Sequence, residues 1–205
     1  MIEYIMSNQT KTGTLYVFDI DDTLLHTTAQ IRVKNQHGHV VKKLSNQEFN
    51  NHSLDHGHSY DFDEFTDAKK FADESKPIHA MINQLKRIQK KITLNLTPGS
   101  KIIMNTARSD FDNKEIFLDV FRSLGIDIDQ IHVHRAGNIQ GNMLPAQKKL
   151  VYIRKYLESG KYNQVHMYDD SKTNLKYFVS LKGEFPKIQF YPWLVRKDGT
   201  MIAFK

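Results

Sequence analysis

The chain has 205 residues, a formal net charge of +6 and no cysteine. That length fits one domain with a modest insertion and leaves room for a full core, while the missing cysteines exclude disulfides and thiolate metal sites. The basic balance, with a pI near 9.3, favours phosphate-bearing partners without separating a nucleic acid from a small anion.

The opening MIEYIMSNQTKTG lacks a basic segment followed by a long apolar one, and no stretch approaches the ~20 apolar residues of a membrane span. The expectation is a soluble, cytoplasmic protein with no membrane partner. The first apolar run, LYVFDI (15 to 20), reads as a strand. From about 26 to 75 the chain turns polar and rich in His, Asn and Asp. Within it QIRVKNQHGHVVKKLS alternates around a turn at His37 and Gly38, which predicts a β-hairpin, followed by a loop and a short helix in DFDEFTDAKKFAD. We read this as a small cap insertion after the first strand, inside a single domain of residues 1–205. Its Phe62, Phe65 and Phe71 could stack a base, but their helical spacing favours core packing. Its His52, His56 and His58 match no closed zinc pattern and read as a surface loop.

KPIHAMINQLKRIQKK predicts a helix with Pro77 in its first turn and a stripe of Ile78, Met81, Ile82, Leu85 and Ile88. KKITLNLTPGSK reads as a long connection to a second strand, KIIMNT (101 to 106). The next helix spans Asp112 to Leu124, with Ser109 or Asp110 as its cap and Gly125 as its stop. QIHVH (130 to 134) is a third strand, whose His132 and His134 read as ordinary partly buried residues. AQKKLVYIRKYLESG carries Leu150, Ile153 and Leu157 on one face, with Gly160 after it. QVHMYDD (164 to 170) and KIQFYPW (187 to 193) supply a fourth and a fifth strand. Continuous apolar strands alternating with helices predict an α/β fold, a Rossmann-like parallel sheet sandwiched by helices.

The chemistry concentrates at strand ends. Alternation along a strand lets Asp19 and Asp21 face one pocket while Ile20 packs inward, and open α/β sheets bind ligands outside the carboxyl ends of their strands. Crowded carboxylates repel one another unless a cation or a hydrogen-bond cage holds them. An all-oxygen donor set favours a hard ion such as Mg²⁺. One carboxylate could then attack a phosphoryl group while the other, protonated, gives its proton to the leaving oxygen. The bland alternative is an acidic turn in which Asp22 or Thr23 caps the next segment. Thr106, ending the second run, can hydrogen-bond a phosphate oxygen, and Arg108 can add a bidentate contact. The fourth run ends in a second acidic pair, Asp169 and Asp170, followed by Asn174.

Together these segments resemble a family. FDIDDTLL resembles motif I of the haloacid dehalogenase superfamily of phosphohydrolases, Asp-x-Asp-x-Thr after an apolar strand. IIMNT looks like its second motif and YDDSKTN resembles the paired-acid form of its fourth; the likeness covers about residues 14–30 and 77–192. It implies Asp19 as the nucleophile forming an aspartyl-phosphate, Asp21 as general acid/base and Thr106 as a phosphoryl ligand. Metal would be held by Asp19, the backbone carbonyl of Asp21 and an acid of the 169/170 pair. Asp170 is favoured as direct ligand, with Asp169 binding directly or through water. The third motif is a lysine, and PAQKKLVYIRKYL offers both Lys148 and Lys149; Lys149, immediately before the apolar stripe, is preferred. Lys148 joins Thr23 and Arg108 as a substrate-binding candidate. The implied function is Mg²⁺-dependent phosphomonoester hydrolysis. NTARSD resembles the superfamily's nucleotidases and polynucleotide phosphatases, which points to a nucleotide or a nucleic-acid end such as a 3′-phosphate. The rivals are a catalytically silent nucleic-acid-binding module on the same fold, and a phosphotransferase to an acceptor other than water.

Overall fold

The computed structural model describes residues 12–49 and 52–205. Residues 1–11, on which most of the leader expectation falls, lie outside that description. In chain order the elements are β1 (Gly13–Phe18), β2 (Leu25–His26), β3 (Ile31–Lys34), β4 (Val40–Leu44), α1 (Asn46–Phe49) and β5 (Ser59–Asp61). They continue with α2 (Ala68–Glu74), β6 (Lys76–Pro77), α3 (His79–Thr93), β7 (Lys101–Thr106), α4 (Lys114–Ser123) and β8 (His132–Arg135). The chain closes with α5 (Pro145–Glu158), β9 (Tyr162–Asp169), α6 (Lys172–Ser180), β10 (Gln189–Val195) and β11 (Met201–Ala203).

The main sheet runs β11-β10-β9-β1-β7-β8. Its five apolar strands are mutually parallel, and β11 adds an antiparallel edge to β10. Alternation sorts their side chains onto two covered faces. Phe18, Ile102, Met104 and Tyr168 pack with α2, α3 and α4, whereas Leu15, Val17, Ile103, Val165 and Met167 pack with α5 and α6. Strand order reverses between β1 and β9, since β7 and β8 lie on one side of β1 and β9 and β10 on the other. In such sheets the crevice at the reversal, outside the carboxyl ends, is where ligands bind. Asp19 and Asp169 end the two strands that flank it.

Several local expectations are corrected. Helix α4 is capped by Asn113, whose side chain accepts the amides of Glu115 and Ile116, because Ser109 and Asp110 belong to the preceding loop. Pro77 lies in β6, paired with Leu25 of β2, and α3 begins only at His79. That helix runs on to Thr93, so the connection to β7 is shorter than KKITLNLTPGSK suggested. The antiparallel edge strand β11 was not anticipated.

The insertion forms the expected hairpin, extended by β5 into a three-stranded sheet β4-β3-β5 over a small core of Ile31, Val33, Leu44 and Phe65. Its helix α2 instead joins the main core through Phe71, which lies among Phe111, Phe117 and Phe121. Phe62 departs from the packing expectation, being 43% exposed. Hydrogen bonds from Asp112 N–H to Thr66 O and from Ala68 N–H to the Asp112 carboxylate fasten this end of the insertion to the loop after β7.

His166 on β9 makes stability depend on pH. It stacks on Tyr191 at 4.4 Å, and its Nδ1 accepts the Trp193 indole N–H at 3.1 Å, so the ring is neutral here. Burial lowers its pKa from 6.5 to about 4. Between those values the unfolded chain binds a proton that the folded chain refuses, and stability falls as pH drops through that window. His166→Gln is expected to flatten this dependence, read as the difference between variant and wild-type melting temperatures from pH 7 to pH 4.5. A difference that stays constant over that range would refute the assignment.

Candidate active site

The backbone after β1 places the first carboxylates. Asp19 N–H bonds the Tyr168 carbonyl at 3.0 Å, which continues the strand pairing one step further. The chain then turns sharply. The buried Ile20 anchors the turn, its carbonyl accepting the amides of Leu24 and Leu25 at 2.9 and 3.0 Å. Asp22 sits at φ 55°, a left-handed conformation that Asp tolerates better than most residues. Strand alternation therefore ends at Ile20, and the turn sends the Asp21 side chain toward the end of β7.

Asp19, Asp169 and Asp170 offer carboxylate oxygens that all lie within 4.8 Å of one another. Lys149, itself buried, reaches into this group from α5. Its Nζ donates to Asp19 Oδ1 at 2.6 Å and to Asp169 Oδ2 at 2.9 Å. Burial opposes a charged ammonium, yet Asp169 and Asp19 hold the Lys149 pKa above its ordinary value. Asp169 is saturated further by Asn174 Nδ2, at 2.9 and 3.0 Å to its two oxygens, and by the Ser171 amide at 2.9 Å. By contrast, the Asp170 carboxylate takes no hydrogen bond or ion pair among the described residues, and only its amide is engaged, by Thr23 Oγ1 at 3.1 Å. Burial, then Asp169 and Asp19, push the Asp170 carboxyl up to about 9. Asp19 is pushed up to about 7 by burial, against the pull of Lys149 and with the Asp169 and Asp21 charges adding to the rise.

These groups suit a hard divalent cation. One ammonium stands among three carboxylates, all candidate donors are oxygens, and Asp170 has its oxygens uncommitted. Asp19 Oδ2, whose nearest partner is the Thr23 hydroxyl at 3.5 Å, is the second free donor. Asp169, with both oxygens committed to Lys149 and Asn174, is better placed to orient its neighbours than to bind an ion directly.

Asp21 has a different environment. Arg108 grips its carboxylate through Nε at 3.1 and 3.0 Å and through Nη2 at 2.6 Å. Thr27 Oγ1 donates at 2.8 Å and Thr106 Oγ1 at 3.4 Å. Burial opposes ionisation, yet Arg108 and Thr27 hold the Asp21 carboxyl below its ordinary value. Arg108 is 3% exposed. Its remaining nitrogen, Nη1, donates to the Phe65 carbonyl at 2.9 Å, and its guanidinium carbon lies 4.6, 5.0 and 5.3 Å from the ring centres of Phe65, Phe71 and Phe111. Arg108 is thus committed to Asp21 and to an aromatic cage, where the sequence suggested a phosphate contact.

The remaining candidates fall as follows. Thr106 ends β7, and its hydroxyl faces Asp21 while accepting the Arg108 amide at 3.1 Å. Thr23 is fully buried between Asp19 and Asp170, a positioning role where substrate contact was expected. Lys148 is half-buried and makes no ion pair among the described residues, so of the adjacent lysines Lys149 alone enters the carboxylate group. The Asp21 carboxylate stands outside that group. His52, His56 and His58 do not converge; among the described residues the aspartate trio is the one such group of potential metal ligands. His132 and His134 both bond the Tyr156 hydroxyl at 2.9 Å on the α5 face of the edge strand.

Sequence reasoning assigned no role to Asn105, Thr27, Ser171 or Asn174. Asn105, fully buried, donates to the Lys149 carbonyl at 2.9 Å and so fixes the helix that carries the lysine. Its signal was its place beside Thr106, on the opposite face of the same strand. Asn174 follows Ser171 by three, the spacing of a helix cap and its third residue. Among the described residues no helix is long and apolar enough to cross a membrane. Comparison with protein-family models, curated proteins and solved structures gave no match.

Proposed function

We propose that this chain is a Mg²⁺-dependent phosphomonoester hydrolase of the haloacid dehalogenase type, acting through an aspartyl-phosphate on Asp19. The observation that carries the reading is the buried Lys149 bridging Asp19 and Asp169 beside the uncommitted Asp170, at the reversal point of a parallel sheet. The motif order that suggested the family in the sequence is the order that supplies this cluster.

The cation, held by Asp19 and Asp170, would offset charge on the phosphoryl group and on the attacking carboxylate. In the first half-reaction an Asp19 oxygen forms a bond to phosphorus as the bond to the leaving oxygen breaks, and that oxygen takes a proton from Asp21. In the second, Asp21 removes a proton from water as the water oxygen bonds to phosphorus. The Asp19–phosphorus bond then breaks, returning the carboxylate and releasing phosphate. The Arg108 pair keeps Asp21 ionised, which suits the base step; for the acid step Asp21 must gain a proton and loosen from Arg108. Lys149 holds Asp19 in place and offsets its charge, and Thr106 presents a hydroxyl beside Asp21.

The insertion's anchored end argues against a closing lid, because Phe65, Thr66 and Ala68 are bonded to the loop after β7. An open site accepts bulky esters, and with the basic charge this favours a nucleotide or a nucleic-acid end phosphate. The test is phosphate release from p-nitrophenyl phosphate, a nucleoside monophosphate and a 3′-phosphorylated oligonucleotide, in Mg²⁺ or EDTA. Release that requires Mg²⁺ is expected. No release from any of the three, alongside tight salt-sensitive binding of the oligonucleotide, would instead favour the silent binding module.

A further inference from the structure

Arg135 is the second arginine at the carboxyl end of the sheet, and the cluster described above does not use it. It ends β8 directly beside Thr106 in the parallel register. Its side chain is 14% exposed and lies over the Phe117 ring, 5.4 Å from the centroid. Its Nε is buried without a hydrogen-bond partner. Its one ion pair among the described residues is a long contact, 3.3 Å from Nη1 to Asp110, whose own side chain is 68% exposed. Nε itself is closed to solvent, so what an incoming anion can take over is the Nη1 contact to Asp110, and an ion pair with so exposed a carboxylate holds the guanidinium only weakly. Every Arg108 nitrogen, by contrast, already has a partner, Asp21 for Nε and Nη2 and the Phe65 carbonyl for Nη1.

The surrounding loops are locked in place. Gly137 N–H bonds the Arg108 carbonyl at 3.1 Å, and a Cβ at Gly137 would come within 2.6 Å of both the Ala107 carbonyl and the Ser109 amide. The Asp110 amide donates to Asn138 Oδ1 at 3.0 Å. Arg135 and the exposed carboxylate beside it are therefore held next to the phosphoryl-binding end of β7.

Building on the phosphatase reading, we propose that Arg135 is the subsite for a second anionic group of the substrate, carried beside the phosphate that is cleaved. Asp110 stands in that place when substrate is absent and is displaced by it. The substrate class is then a phosphate ester bearing a second phosphate. Two sources share that chemistry: a nucleoside bisphosphate, and a polynucleotide end whose next phosphodiester supplies the charge.

The test compares kcat/KM for a nucleoside 3′-monophosphate, the 3′,5′-bisphosphate and a 3′-phosphorylated dinucleotide in wild type, Arg135→Gln and Asp110→Asn. Wild type is expected to prefer a doubly charged ester by ~10-fold, the scale of one charge-assisted contact. Arg135→Gln removes that preference, and Asp110→Asn lowers KM for the doubly charged esters. Whether the bisphosphate or the dinucleotide is preferred identifies the source. No preference in wild type, or an equal loss on all three esters in Arg135→Gln, overturns the subsite and leaves the phosphatase reading standing. If wild type cleaves none of them, the phosphatase reading falls, and calorimetric binding of the bisphosphate decides for Arg135 alone. Binding ~10-fold weaker in Arg135→Gln supports the subsite, and equal binding refutes it. Should Arg135→Gln fail to fold, Asp110→Asn carries the test: lower KM supports the subsite, unchanged KM overturns it.

Discussion

Asp19→Asn is expected to lose turnover by ~10⁴-fold or more, the scale seen when one member of a cooperating catalytic unit is removed. It is also expected to melt no lower than wild type. The amide has nearly the same shape as the carboxylate and can still accept the Lys149 hydrogen bond, but it cannot form the acyl-phosphate. Stability should not suffer, because burial already disfavours the Asp19 charge and that charge faces two further carboxylates. The measurement is phosphate release beside a thermal melt in EDTA. Activity kept within ~10-fold of wild type would remove Asp19 as nucleophile, since a lost nucleophile costs far more. A large fall in melting temperature with no activity would show only that the residue is structural.

Asp19 and Asp21, two residues apart, are given opposite electrostatic surroundings. Asp19 lies beside like charges with one shared ammonium, whereas Asp21 owns a guanidinium almost outright and accepts a threonine hydroxyl as well. Their carboxyls are displaced in opposite directions, up for Asp19 and down for Asp21. In the proposed mechanism Asp19 must sit against an anionic phosphoryl group, which Asp169 and Asp170 oppose and which Lys149 and a bound cation would have to offset. If Asp21 carries the proton as proposed, its pair with Arg108 is the contact that would have to loosen for it to take one up.

Much of the frame was legible because it is written in short-range patterns. The apolar runs ending at Asp19, Thr106 and Asp169 are buried on both faces, so their composition alone marks them as inner parallel strands. The stops at Gly125 and Gly160 have positive φ, which their residue type announces. What could not be read depends on contacts far apart in sequence. The choice between Lys148 and Lys149 turns on which face of α5 meets the sheet, and one residue of rotation decides it. Arg108 looked like a free phosphate ligand because its cage comes from Phe65 and Phe71, about 40 positions earlier. The turn at Ile20 was equally hidden: Asp19 and Asp21 look like strand neighbours on one face, and the turn with a left-handed Asp22 gives their carboxylates different surroundings.

Lys149→Met is expected to be the most destabilising single change in the site, and Mg²⁺ is expected to restore much of what it costs. The Lys149 side chain is 2% exposed, and its ammonium is the one cation bonded to the trio among the described residues, making 2.6 and 2.9 Å contacts to two of its three carboxylates. Methionine fills similar space but leaves Asp19, Asp169 and Asp170 facing one another without a counter-charge. Breaking a buried pair from one side costs ~3–5 kcal/mol. For a chain of this size that corresponds to a fall of roughly 6–20 °C in melting temperature, measured in EDTA. A divalent ion placed among the same oxygens replaces the lost charge, and at 100 times its dissociation constant it returns ~2.7 kcal/mol by mass action. The Mg²⁺-induced rise should therefore be larger in Lys149→Met than in wild type, where lysine already neutralises part of the site. Equal rises in the two proteins would mean that the ion, if bound, sits elsewhere. An unchanged melting temperature in EDTA would mean that the carboxylates are already protonated and that the lysine does not hold them.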